Sequence, residues 1–157
     1  MDPCDRLDYW DKFTPSNRFD TVKDLINQYA EEHGMDPVNV KNEAYPDDPN
    51  TEVDESKYSG AYDPDSRTVY LNPDLFNSDS PGDAFDTAGH EMVHAEAHDT
   101  FPGDPYWDTD EGHAMQESVA DEYGSSVAKD LQAPCNRPPP SQSPAEDDDL
   151  GDFNLDP

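Results

Sequence analysis

The sequence is poor in basic and aliphatic residues. Its 157 residues include only nine Lys and Arg and a single isoleucine, Ile26, and 32% of the residues are hydrophobic. No segment approaches the roughly 20 apolar residues of a membrane-spanning helix, so we expect no membrane partner. The segment MDPCDRLDYW lacks the basic and apolar regions of a secretory signal, which predicts a cytoplasmic location. With so few cations, the chain is not expected to bind nucleic acid.

The chain is instead strongly acidic: its 38 Asp and Glu residues give a formal net charge of −29. Such a composition is typical of intrinsic disorder, or of a protein that folds in molar salt, where the Debye length is ~3 Å. Only five of the net negative charges lie in residues 134–157. Most of the acid therefore lies in segments with regular hydrophobic patterns. We expect a folded protein from a salt-accumulating cytoplasm or from a virus of such a host.

Two cysteines, Cys4 and Cys135, lie near the two ends of the patterned region. Their spacing is not that of metal ligands, and no export signal suggests an oxidising compartment. The sequence therefore predicts two free thiols.

Hydrophobic spacing predicts an α+β fold with a small sheet. A helix is expected from Asp20 to a C-cap at Gly34, and a strand near residues 38–44. Two short runs, at residues 58–62 and 68–71, flank a Pro/Asp/Ser cluster and predict a hairpin. An acidic, Pro-containing loop is expected at residues 46–55.

Two further helices follow the hairpin. One is expected from an N-cap at Ser80, with Pro81 in the first turn, to about His98. The other is expected at residues 111–131, after an aromatic loop at residues 101–107. The predicted organisation is a polar N-terminal segment (1–18) whose aromatic residues pack onto the domain, a domain at 19–133, and a disordered, acidic, Pro-rich tail at 134–157.

The first of these helices carries the pattern HExxH in residues His90, Glu91 and His94. Residues four apart share one face of a helix, so both imidazoles can bind one ion. Glu91 is rotated by about 100° and is placed to act on a water that the ion binds, as general base. Random placement would produce this pattern in about 1% of chains of this composition, so the match favours one Zn²⁺ site.

Catalytic zinc usually takes three protein ligands. Glu117, on the last helix, is the preferred third ligand, because Ala120, Gly124 and Ala128 on the same arc would let that helix approach closely. Asp121, one turn on, is placed to hydrogen-bond the outer nitrogen of a ligand histidine. His113 remains an alternative third ligand.

Other candidates fit less well. His98 lies ~12 Å along the helix from His90, too far to share its ion. The spacing of Tyr123 predicts a core residue. Its alternative role would be to polarise the carbonyl group of a substrate.

HExxH followed by a helix with Glu117, Ala120 and Asp121 resembles the gluzincin group of zinc metallopeptidases, and most closely their ImmA/IrrE-type domain. The resemblance covers about half the chain, residues 58–131. It implies a minimal zincin-like fold, in which a small twisted sheet packs on the HExxH helix and on a C-terminal ligand-bearing helix. It also implies zinc bound by His90, His94 and Glu117, with Glu91 as base. The strand at 68–71 would be an edge strand that aligns an extended peptide or protein substrate.

A weaker resemblance is to SprT-type metallopeptidases, in which His113 would be the third ligand. The expected function is therefore hydrolysis of peptide bonds by an endopeptidase. A zinc-stabilised interaction module without catalysis is the alternative from another class.

Overall fold

The structure, a computed structural model, describes residues 2–44 and 59–136, apart from the side chains of residues 107 and 108. Within these residues the fold mixes helices with one small sheet, as predicted. The helices are α1 (Pro3–Asp8), α2 (Pro15–Glu32), α3 (Gly82–Thr100) and α4 (Asp110–Gln132), and the strands are β1 (Asn39–Lys41), β2 (Gly60–Asp63) and β3 (Thr68–Leu71). The predicted acidic loop at 46–55 and the tail beyond residue 136 lie outside the described residues.

The three strands are arranged in the order β1-β3-β2. β3 pairs in parallel with β1 and antiparallel with β2, so β2 and β3 form the predicted hairpin. All four residues of β3 are buried. The prediction that the strand at 68–71 is an edge strand is therefore wrong. The residues Thr68–Leu71 suit the central position, because both neighbouring positions in the sheet are occupied and the strand is buried. The edge strand β2 is only partly buried.

The N-terminal segment belongs to the packed core. Trp10 is 3% exposed, and its indole N–H donates to the carbonyl of Ser78. The buried guanidinium of Arg18 donates to the backbone carbonyls of Trp10, Phe76 and Ser78. The predicted packing of N-terminal aromatic residues holds for Trp10, whereas Tyr9 is 58% exposed.

Cys4 and Cys135 form a disulfide, so the prediction of two free thiols is wrong. The bond joins α1 to the short 3-10 helix Ala133–Cys135 that follows α4. Sequence separation gave no hint of this pairing, because the fold brings the two ends of the described chain together. Disulfides are typical of oxidising environments, so this bond is at odds with the expectation of a reducing cytoplasm.

Helices α3 and α4 make the closest helix contact of the fold. A Cβ atom built on Gly89 of α3 would lie 2.3 Å from the carbonyl oxygen of Gly124 and 2.7 Å from the backbone nitrogen of Ala128. The backbones can approach this closely only because position 89 has no side chain. The predicted role of Gly124 and Ala128 as small residues at this crossing is confirmed.

The start of α3 differs slightly from the prediction. The helix begins at Gly82, with Pro81 rather than Ser80 in the N-cap position, and no side chain caps it. α4, by contrast, is capped by Thr109, whose hydroxyl accepts a hydrogen bond from the Gly112 N–H. The cap satisfies one of the free backbone N–H groups at the start of α4 and stabilises its first turn.

Candidate metal centre

The side chains of His90, His94 and Glu117 converge where α3 and α4 run side by side. Their ligand atoms all lie within 4.8 Å of one another. His90 Nε2 is 3.3 Å from one carboxylate oxygen of Glu117, and His94 Nε2 is 2.9 Å from the other. The two imidazole rings are 5.2 Å apart. The group is therefore close enough to bind one metal ion.

The donor set suits zinc in both chemistry and spacing. Two imidazole nitrogens and one carboxylate form a known set of ligands for catalytic zinc. Bonds of 2.0–2.2 Å in a tetrahedron place neighbouring ligand atoms about 3.3 Å apart, which is close to the separations of 3.3 and 2.9 Å between the two histidine nitrogens and the two carboxylate oxygens of Glu117. No large rearrangement of these side chains would be needed to accept the ion.

Glu91 lies beside this group and is only 6% exposed. Burial, together with the negative charge of Glu117, raises the pKa of its carboxyl group to about 8. Within the part of the chain that the structure describes, no hydrogen bond satisfies this carboxyl group. A carboxyl group with a strongly raised pKa beside candidate metal ligands is typical of a functional site.

The edge strand β2 packs against α3 next to Glu91. A Cβ atom on Gly60 would lie 2.5 Å from Cγ2 of Thr87 and 3.3 Å from Cγ of Glu91. The backbone of β2 can therefore pass directly over the glutamate only with glycine at this position. The partly buried edge of the sheet and the candidate base are thus neighbours.

The outer nitrogen of each histidine faces a polar side chain of α4. Asp121 Oδ1 lies 3.6 Å from His90 Nδ1, on the predicted side but beyond direct hydrogen-bond distance. Gln116 Oε1 lies 3.3 Å from His94 Nδ1. The hydrogen bond to Gln116 selects the tautomer of His94 in which Nδ1 carries the proton and Nε2 is free to bind a metal. Burial lowers the pKa of His94, which also favours the neutral ligand form.

The sequence analysis missed Gln116. A signal was present: the buried positions of α4 recur mainly at intervals of four, and Gln116 is the polar member of an otherwise small or apolar stripe. A buried polar side chain in such a stripe needs a hydrogen-bond partner. His94 on the facing helix is that partner.

The remaining candidates lie outside the group of metal-binding atoms. Among the described residues, that group contains neither His113 nor His98. The absence of His113 from the group favours Glu117 as third ligand. His98 lies beside Tyr62, with ring centroids 6.0 Å apart. Tyr123 is 53% exposed, so its expected role in the core is wrong.

No family model, curated protein or solved structure matches the chain. The interpretation of the site therefore depends on its geometry. The helices that the structure describes include none with the length and apolar character needed to cross a membrane.

Proposed function

We propose that this chain is a zinc-dependent endopeptidase of the gluzincin type. The observation that carries the proposal is the convergence of His90, His94 and Glu117 beside the buried carboxyl group of Glu91. A zinc ion held by the three ligands would supply Lewis acidity, lowering the pKa of a water molecule and polarising the scissile carbonyl. Proton transfer, orientation and water exclusion fall to the protein's own side chains.

In this proposal Glu91 is the general base and then the general acid. It accepts a proton from the attacking water and delivers it to the nitrogen of the leaving amine. Burial raises the pKa of Glu91 in the metal-free protein, and the positive charge of a bound zinc ion would lower it again towards the range of a general base. Gln116 orients the imidazole of His94 through its hydrogen bond, and Asp121 lies 3.6 Å from the imidazole of His90.

The edge strand β2 is the proposed site for an extended substrate. Among the described residues, only β3 pairs with β2, and it does so on one side of the strand. A peptide added along the other side would form backbone hydrogen bonds independent of its side chains. Because Gly60 contacts Glu91, that peptide would pass over the candidate base.

The alternatives are less well supported. A SprT-type centre would require His113, which lies outside the group of ligand atoms. A structural zinc site usually has a fourth protein ligand, often cysteine. Here both cysteines are held in the disulfide, and the described group has three members. Three ligands among the described residues match the number that catalytic zinc usually has, which favours catalysis over a purely structural role.

The test compares the wild-type protein with Glu91→Gln, both purified in concentrated salt. Zinc content is measured first, and digestion of a peptide library is then followed with and without a chelator. We expect both proteins to bind one equivalent of zinc, and only the wild type to cleave peptides in a chelator-sensitive manner. The proposal is wrong if the wild type binds no zinc, or if Glu91→Gln cleaves as fast as the wild type.

A further inference from the structure

A cavity of about 390 Å³ lies between α2, α3 and α4. It touches the metal centre only at His94 and Gln116; His90, Glu91 and Glu117 do not line it. The volume is within the range of roughly 300–1,000 Å³ typical of small-molecule sites. Its walls are mainly apolar, with contributions from Val93, Ala97, Val119 and Val127. The cavity is therefore a second concave site beside the metal centre.

Two aromatic side chains at this cavity are exposed. Phe101 and Tyr123 line it, and each is 53% exposed. Only 32% of the residues of the chain are hydrophobic, yet two large aromatic side chains are exposed at one cavity and form a local apolar surface. Apolar surface that clusters in this way is typical of a binding site.

The polar wall of the cavity carries negative charge. Glu96 lines it, and a carboxylate oxygen of Glu96 accepts a hydrogen bond from the buried hydroxyl of Tyr29. Burial raises the pKa of Tyr29, and the negative charges of Glu96 and Asp130 raise it further. The region around the phenol is thus negative as well as apolar.

No cationic side chain of the described residues compensates Glu96. The described ion pairs of Lys and Arg involve other carboxylates: Asp11, Asp24, Asp79 and Asp99. Tyr29 donates one hydrogen bond but leaves the charge of Glu96 in place. A half-buried carboxylate without an ion pair among the described residues favours a cationic partner, and aromatic residues also line this cavity.

From this combination we infer that the cavity binds a small hydrophobic organic cation, with its apolar body between α3 and α4 and its charged end paired with Glu96. A neutral ligand of the same shape would leave Glu96 unpaired, and an anion would be repelled. A second copy of this chain is disfavoured as an occupant, because each copy carries a net charge of −29.

The test uses three probes that share one apolar body: 4-phenylbutylammonium, 4-phenylbutan-1-ol and 4-phenylbutanoate. Their affinities for the full chain are measured by calorimetry at about 1 M salt, where the chain is expected to be folded and the Debye length is ~3 Å. We expect the cation to bind roughly tenfold or more tightly than the alcohol, and the carboxylate to bind weakest. A preference that persists in molar salt indicates a direct contact rather than attraction to the net charge.

Two variants locate the contact. Glu96→Gln should reduce the preference for the cation over the alcohol to near unity while leaving the affinity for the alcohol unchanged. Asp86→Asn is the matched control, because it removes one exposed carboxylate from the same helix, away from the cavity. It should retain the preference.

Excess chelator separates the cavity from the metal centre, since an amine could also bind a metal ion. The preference should be the same with chelator, whether or not the protein proves to be a peptidase. The inference is overturned if the three probes bind equally, if none binds, if Glu96→Gln keeps the preference, or if chelator abolishes it.

Discussion

Substitution of Gly89 by alanine tests how closely the metal centre depends on the crossing of α3 and α4. The new Cβ would lie 2.3 Å from the Gly124 carbonyl oxygen, and 2.7 and 3.0 Å from the backbone nitrogen and Cα of Ala128. All three contacts are with backbone, so no side chain can rotate away. Restoring a separation of even 3.0 Å requires α4 to move by about 0.7 Å, several times the ~0.2 Å tolerance of metal–ligand distances.

We expect Gly89→Ala to weaken both folding and metal binding. Overpacking of this kind typically costs about 1–3 kcal/mol, which corresponds to a decrease of roughly 3–10 °C in Tm. Because Glu117 moves with α4 while His90 and His94 stay with α3, zinc affinity should fall by at least tenfold. Thermal unfolding and competition with a chromogenic zinc chelator measure the two effects.

Gly82→Ala is the matched control on the same helix. The nearest heavy atom to its Cβ would be Ser80 Oγ, 3.9 Å away, so the methyl group has space. Replacing an exposed helical glycine by alanine should leave zinc affinity unchanged and Tm unchanged or slightly higher. The reasoning fails if Gly89→Ala matches Gly82→Ala in both Tm and zinc affinity.

Three further predictions concern pH, the disulfide and salt. In the metal-free protein, burial and the charge of Glu117 raise the pKa of Glu91 from 4.5 to about 8, so the stability gained from its bound proton is complete below pH 4.5 and lost as the pH rises through 8. Glu91→Gln should unfold with less pH dependence over this range, as measured by urea titration; an unchanged profile would contradict the assignment. Paired replacement of Cys4 and Cys135 by serine should lower the free energy of unfolding by about 2–5 kcal/mol, because the bond spans 131 residues; equal urea midpoints for variant and wild type would refute this. Far-UV circular dichroism should show folding in molar salt and loss of structure near 0.1 M, where the Debye length is ~10 Å and repulsion within a chain of charge −29 is less screened; a folded monomer in 0.1 M salt would exclude adaptation to high salt.

Local patterns were sufficient for most elements of the fold. The hairpin, the helix that carries HExxH and the last helix lie within a few residues of their predicted bounds. Each depends on signals that neighbouring residues supply, such as apolar spacing or the Pro/Asp/Ser cluster between β2 and β3. The predicted start of α2 was less accurate. This helix begins at Pro15 rather than near Asp20, because Thr14 caps it by accepting a hydrogen bond from the Asn17 N–H.

The part of the candidate site that lies on a single helix was predicted from the spacing of its residues. His90 and His94 share a face of α3 because residues four apart always do, and Glu91 is necessarily turned away from them. Glu117 required a further assumption, that a helix with small residues at 120, 124 and 128 would pack closely on α3. The steric contact between Gly89 and the Gly124–Ala128 backbone makes that assumption correct here.

Contacts between distant segments were decided only by the tertiary structure. The disulfide between Cys4 and Cys135, the central position of β3, and the pairing of Gln116 with His94 all join residues whose separation along the chain carries no signal. Periodicity reports the environment of a side chain, buried or exposed, but not which partner it meets. The residue types and spacing therefore determined the metal-binding chemistry of α3, while the packing of α4 and β2 against it decided which groups surround that chemistry.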